Sequence, residues 1–178
     1  MTTENETNET KVASTTLPWL VAAGALVIYL VTLNHWVTLG NLSQLVQLGR
    51  WDGQLPAYAP FYFAATYPLS WLPGSWQPLA LNLFALACAV LTLALLARSV
   101  KLLPHDRTHE QRLREHNEFS LLSIRGAWLP PVLAVLACGL ELTFWENATA
   151  GTAEMFNLLL FAYVIRCLLE YRIDERES

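Results

Sequence analysis

Residues 77–97 read QPLALNLFALACAVLTLALLA, a run without a single charged side chain. At about 1.5 Å per residue such a helix reaches about 30 Å, the thickness of the hydrocarbon core of a bilayer. Residues 17–37 form a second uncharged run of the same kind. Working outward from these two, residues 128–144 and 153–169 are further apolar stretches that carry Glu141 and Arg166. They complete a set of four spans when those charges lie near the membrane faces. The composition agrees, with 54% of the 178 residues hydrophobic, 15% charged, and the charges gathered between the runs. The expected fold class is all-α, an integral membrane protein with four transmembrane helices.

The segments between the spans set the orientation. Residues 1–16 are rich in Glu, Asn and Thr, too poor in apolar groups to order themselves, and read as a flexible cytoplasmic tail. The first span follows this acidic leader and ends in His35, Trp36 and Val37 without a small-residue cleavage pattern, so it reads as a retained anchor. Residues 98–125 form a strongly charged cytoplasmic loop, and residues 172–178 a short cytoplasmic tail. With both termini inside, all but Arg50 of the 11 Lys and Arg residues fall on the cytoplasmic side, as the positive-inside bias requires. In a bacterium this is an inner-membrane protein. Cys88, Cys138 and Cys167 each fall within a span, where small apolar packing and not a disulfide framework is expected. A net charge of -4 excludes the basic face that nucleic-acid binding needs.

Residues 38–75 form the outer loop. Leu42, Leu45, Val46 and Gly49 share one helical face while Asn41, Gln44 and Gln47 point elsewhere, the pattern of a short helix at a membrane surface. Tyr58, Phe61, Tyr62, Tyr67 and Trp71 suit the headgroup zone. Pro56, Pro60, Pro68 and Pro73 keep any second helix between Pro60 and Trp71 brief. The loop reads either as a surface segment with interfacial anchors or as the wall of a lipid-facing site. Asp52, Glu146 and Glu154 are placed at the outer face, with Glu141 about one turn below. Arg50 is the lone outer cation available to a lipid-linked phosphate, and aromatics from Trp51 to Trp71 can cover an isoprenoid or a sugar face. Asn82 and Asn157, near the outer ends of their spans, offer neutral hydrogen bonds to a ligand or between helices. His105, His109 and His116 lack a completing carboxylate or cysteine and sit among arginines, so a solvated linker is expected and no metal site.

The order of these features resembles the bacterial protein O-mannosyltransferase-like membrane proteins, which have the GT-C type of glycosyltransferase fold. The resemblance runs over residues 17–171 and rests on Gly40, Asn41, Leu42, Ser43 and Gln44, where the family has Gly-Asp-x-x-Glu. It continues through Leu55, Pro56, Ala57, Tyr58, Ala59 and Pro60, then Asn82 and Leu83, then Phe144 and Trp145, then Glu154, Met155, Phe156 and Asn157. It implies a polyprenyl-phosphate sugar as donor, with no permanently bound cofactor. Arg50, Trp51, Tyr58, Asn82, Trp145 and Asn157 would contact that substrate. The family's base is an outer-loop aspartate, and here the position holds Asn41, with Gln44 for the glutamate and Leu55 for the histidine. Asp52 or Glu154 would have to stand in as base.

Two functions follow. One is a membrane module of glycosyltransferase descent that does not catalyse by itself and packs on a partner in the membrane. The other is the active part of a split GT-C enzyme, whose remaining spans come from a further membrane subunit. Membrane lipids are partners in either case, with a lipid-linked sugar the expected ligand.

Overall fold

The computed structural model describes residues 19–49, 59–103 and 129–177, and every regular element among them is helical. In chain order these are α1 (Trp19–Val31), α2 (Leu42–Gly49), α3 (Pro60–Thr66) running into a 3-10 turn (Tyr67–Trp71), α4 (Gln77–Leu102), α5 (Leu129–Gly139), α6 (Leu142–Thr149) and α7 (Ala153–Glu177).

α4 is the central post. Pro78 sits in its first turn, where a missing N–H has no intrahelical acceptor to lose, and Lys101 sits in its last turn, where a cation suits the helix dipole. Between them the Leu- and Ala-rich run has no breaker. Ala85, Ala89 and Ala97 are buried along it, and their small side chains let neighbouring backbones come close. α7, α5 and α6 all pack on this helix, and Tyr29 and Leu33 of the first segment join Ala89, Leu93, Val135, Phe144 and Met155 in one core. Among the described residues α4 is long and apolar enough to cross a membrane, and the bent pair α5–α6 is a second crossing when taken as one broken span.

Three boundaries differ from the sequence reading. The first run was expected to stay helical over residues 17–37, yet α1 stops at Val31. Thr32 Oγ1 folds back on the Ile28 carbonyl, and Asn34 Oδ1 accepts the Trp36 N–H at 3.0 Å, a local turn that competes with the helix. The described helix rises about 20 Å, short of a hydrocarbon core of about 30 Å. The third run, expected as one span over residues 128–144, is two helices meeting at 68°. Glu141 causes the break: its extended backbone leaves the helix and its carboxylate accepts the Thr143 and Phe144 N–H groups at 3.1 and 2.8 Å, capping α6. The Tyr29 hydroxyl donates to the Gly139 carbonyl at this break, at 2.5 Å. The fourth run continues as α7 beyond residue 169, and Arg166 pairs with Glu170 one turn on, its Nε donating at 2.9 Å. Between α1 and α3, Asn41, just before α2, and Leu48 in α2 turn inward, while Leu42 and Val46 are exposed.

Because Tyr29 is 1% exposed and donates to the carbonyl at the helix break, Tyr29→Phe leaves that acceptor without its donor. The expected loss is about 1–3 kcal/mol, seen as a lower thermal midpoint in mild detergent. Tyr171→Phe, on the exposed face of α7, should leave the midpoint unchanged.

Candidate functional site

The polar centre of the molecule lies at the N-terminal end of α4. Asn82 enters the core on the second turn of that helix and is fully buried, as is Asn41. Its amide Nδ2 donates to the Asn34 carbonyl at 2.5 Å, and its Oδ1 accepts from Asn41 Nδ2 at 3.0 Å. Asn41 is held by a reciprocal cap. The Thr38 N–H donates to Asn41 Oδ1 at 2.8 Å, and the Asn41 N–H donates to Thr38 Oγ1 at 3.3 Å. This is the geometry of a capping box with Asn in the place usually taken by Glu or Gln, and it starts the turn that leads into α2.

The turn between α6 and α7 closes on the same asparagine. Gly151 has φ +68°, and a Cβ there would come within 2.4 Å of Asn82 Oδ1. Only glycine meets both demands without strain. The Tyr62 hydroxyl donates to the Gly151 carbonyl at 3.4 Å, and its ring stands edge-on to Phe84 and Phe156 with centroids about 6 Å apart. Asn82 therefore joins the segment after α1, the start of α4 and the entry to α7, with an aromatic trio beside it.

Of the residues singled out in the sequence, Asn41 and Asn82 are joined across the fold by a side-chain hydrogen bond. Gln44 accepts from the neighbouring Ser43 hydroxyl. Glu154, in the first turn of α7, and Asn157 are exposed. Trp145 donates through Nε1 to Thr32 Oγ1 at 3.2 Å and stands edge-on to Tyr29. Arg50, Trp51, Asp52 and Tyr58 lie outside the described residues, as do Leu55 and the three linker histidines.

Glu141, expected about one turn below the level of Asp52, Glu146 and Glu154, lies further than that from Glu154. Glu154 follows the turn seated on Asn82. Glu141 follows Gly139, where a Cβ would touch Leu93 at 3.2 Å, and Leu93 lies about 24 Å along α4 from Gln77. α6 has to climb between the two, so Glu141 is far from one turn below Glu154, and its oxygens are committed to capping. Among the described residues no group of three or more His, Cys, Asp or Glu side chains could hold a metal ion.

The junction is neutral, closed and hydrogen-bonded, which makes it a strut. Sequence reading took Asn82 and Asn41 separately, assigned Tyr62 to the headgroup zone although it is buried here, and missed Thr38 and Gly151. The Thr-x-x-Asn spacing at Thr38 and Asn41 was the available signal for the cap. No protein-family model matches this chain, and neither a curated protein nor a solved structure matches it.

Gly151→Ala should be more disruptive than its one methyl suggests, because the backbone is left-handed and the new Cβ meets the Asn82 amide. A loss of about 1–3 kcal/mol is expected from strain of this kind, measurable as a fall in thermal midpoint. Gly49→Ala, where a Cβ meets nothing within 4 Å, serves as the silent control.

Proposed function

We propose that this chain is a non-catalytic membrane module similar to the N-terminal part of the GT-C type protein O-mannosyltransferase-like enzymes. The observation that carries the reading is the state of Asn41. It stands where those enzymes place their catalytic aspartate, it is an amide, and here it is fully buried with its carbonyl oxygen bonded to Thr38 and its amino group to Asn82. An acceptor hydroxyl has no path to it, and an amide takes no proton usefully near neutral pH.

The membrane setting has separate support. Trp36, Trp71 and Trp76 are exposed at the N-terminal end of α4. At the other end the Arg98 guanidinium lies 5.4 Å from the centre of the Trp19 ring. From Trp76 to Arg98 is about 33 Å along the helix, close to a hydrocarbon core of about 30 Å, with an amphipathic ring at each boundary. Leu39, Phe61, Leu142, Phe161 and Leu168 are exposed apolar side chains that lipid or a membrane partner would cover. In this reading the chain crosses four times, as α1 with its flanks, α4, the broken pair α5–α6, and α7, with both termini cytoplasmic. A lipid-linked sugar is its ligand and a further membrane subunit its partner.

Single cysteines at Ser75 and Asn117, in a background lacking Cys88, Cys138 and Cys167, test the topology. An impermeant maleimide applied from outside should label Ser75→Cys and spare Asn117→Cys, and the reverse pattern contradicts the orientation. For activity, purified chain supplied with a radiolabelled polyprenyl-phosphate sugar and a peptide or lipid acceptor should give no transfer. General-base help contributes about 10²- to 10⁴-fold, and its expected carrier is absent. Turnover by the chain alone, lost in Asp52→Asn, contradicts the non-catalytic reading and makes Asp52 the base.

A further inference from the structure

α7 packs on the rest of the fold through one side. Met155, Phe156, Leu158 and Leu159 join the core, while Asn157, Phe161, Val164, Leu168 and Tyr171 are exposed. Their spacing alternates four and three residues, which keeps all of them in one stripe on the side of α7 away from that core. A left-handed pair of membrane helices packs along such a seam. Arg166 and Glu170, the charged residues within residues 155–171, fall off the stripe and pair with each other. The stripe therefore carries no charge that would repel a second copy of itself.

Asn157 is the residue that asks for a partner. The Phe84 and Phe156 ring centroids are 6.0 Å apart, which sets α4 and α7 at a common level there. Phe84 lies about 12 Å along α4 from Trp76, so Asn157 is well inside a hydrocarbon core of about 30 Å. It is exposed at that level, and among the described residues its side-chain amide has no hydrogen-bond partner. Lipid tails offer none, and a bond to a neighbouring helix removes the cost.

The chemistry of the stripe selects its occupant. An amide both donates and accepts, so two copies of Asn157 satisfy each other as Asn41 and Asn82 do within the fold. Copies inserted with the same topology are parallel, and a two-fold axis along the membrane normal sets each stripe residue against its own counterpart. Phe161 and Tyr171 are 62% and 66% exposed. With whole aromatic side chains at about 150–250 Å², the stripe and the flanking Leu160 offer roughly 500 Å² per copy, about 1,000 Å² in all, the lower limit for a specific interface.

We propose that two copies of this chain associate in parallel along the α7 stripe, with their Asn157 amides hydrogen-bonded across the two-fold axis. This surface is separate from the asparagine junction and from any sugar chemistry there. It rests on the reading that α4 and α7 cross the membrane.

The test uses the full chain in native membranes, with single cysteines in a background lacking Cys88, Cys138 and Cys167. On oxidation with copper phenanthroline, Val164→Cys and Leu168→Cys should give disulfide-linked dimers. Tyr163→Cys and Ile165→Cys, at residues as open as these but off the stripe, should stay monomeric. In lipid vesicles, energy transfer between donor- and acceptor-labelled copies should fall on dilution, and Asn157→Leu should raise the dissociation constant about three- to thirtyfold, the range for an interhelical hydrogen bond in a membrane. The cross-linking pattern decides the matter even if Asn157→Leu fails to insert. A monomer at every dilution, equal cross-linking at all four positions, or an unchanged dissociation constant in Asn157→Leu overturns the proposal. Cross-links from the stripe to a different membrane protein overturn it in favour of a further subunit. Carbonate extraction separates this from the premise. A chain released from membranes contradicts the membrane reading itself, whereas a retained monomer contradicts only the dimer.

Discussion

The bond between the Asn41 and Asn82 side chains is the constraint on which the arrangement depends. An amide buried in an apolar core without partners costs about 1–3 kcal/mol or more, and two such amides at the start of the central helix would destabilise it. Here each satisfies the other, and the remaining groups reach Thr38 and the Asn34 carbonyl. The segment leaving α1 is thereby fixed against α4. The entry to α7 is fixed in turn, because Gly151 passes so close to Asn82 that any side chain would collide. Three connections that would otherwise be independent share one anchor.

The same rule governs the other irregularities. At the break between α5 and α6, where the chain leaves the helical ladder, side chains take up freed backbone groups. Tyr29 does so for the Gly139 carbonyl, and Glu141 does so for the first N–H groups of α6. Thr32, Thr66, Thr92 and Thr149 hold their hydroxyls on carbonyls four residues back, so these polar side chains sit on apolar helices without an open hydrogen-bonding demand. The kink between α5 and α6 is thus held from both sides, by a donor from α1 and by its own carboxylate cap.

The helical class and the start of α4 at Gln77 were legible, because a long apolar run opened by Pro78 has few other readings. The stop at Val31 was hidden by the apolar residues around it, since hydropathy averages over the Asn34 turn that ends the helix. The break at Glu141 was hidden for a related reason. A glutamate in an apolar run reads as a membrane-edge charge, and its role as a cap appears only when Thr143 and Phe144 turn their N–H groups toward it. Asn82 stood out as a lone polar residue, but its partner lies 41 residues earlier, and no local pattern encodes such a pairing. Resemblance to an enzyme motif drew attention to Asn41 as a lost base, whereas in the fold Asn41 has its own structural work. That difference supports the proposed reading of a module whose polar end joins helices together.

Placing a carboxylate at position 41 tests this account most directly. Asn41→Asp removes the donor that Asn82 Oδ1 requires and sets two oxygens against each other in a fully buried site. Thermal unfolding of this variant in mild detergent should show a loss of about 1–3 kcal/mol relative to the wild type. A variant as stable as the wild type, and able to transfer sugar from a polyprenyl-phosphate donor, would contradict the account and make Asn41 an inactivated base after all.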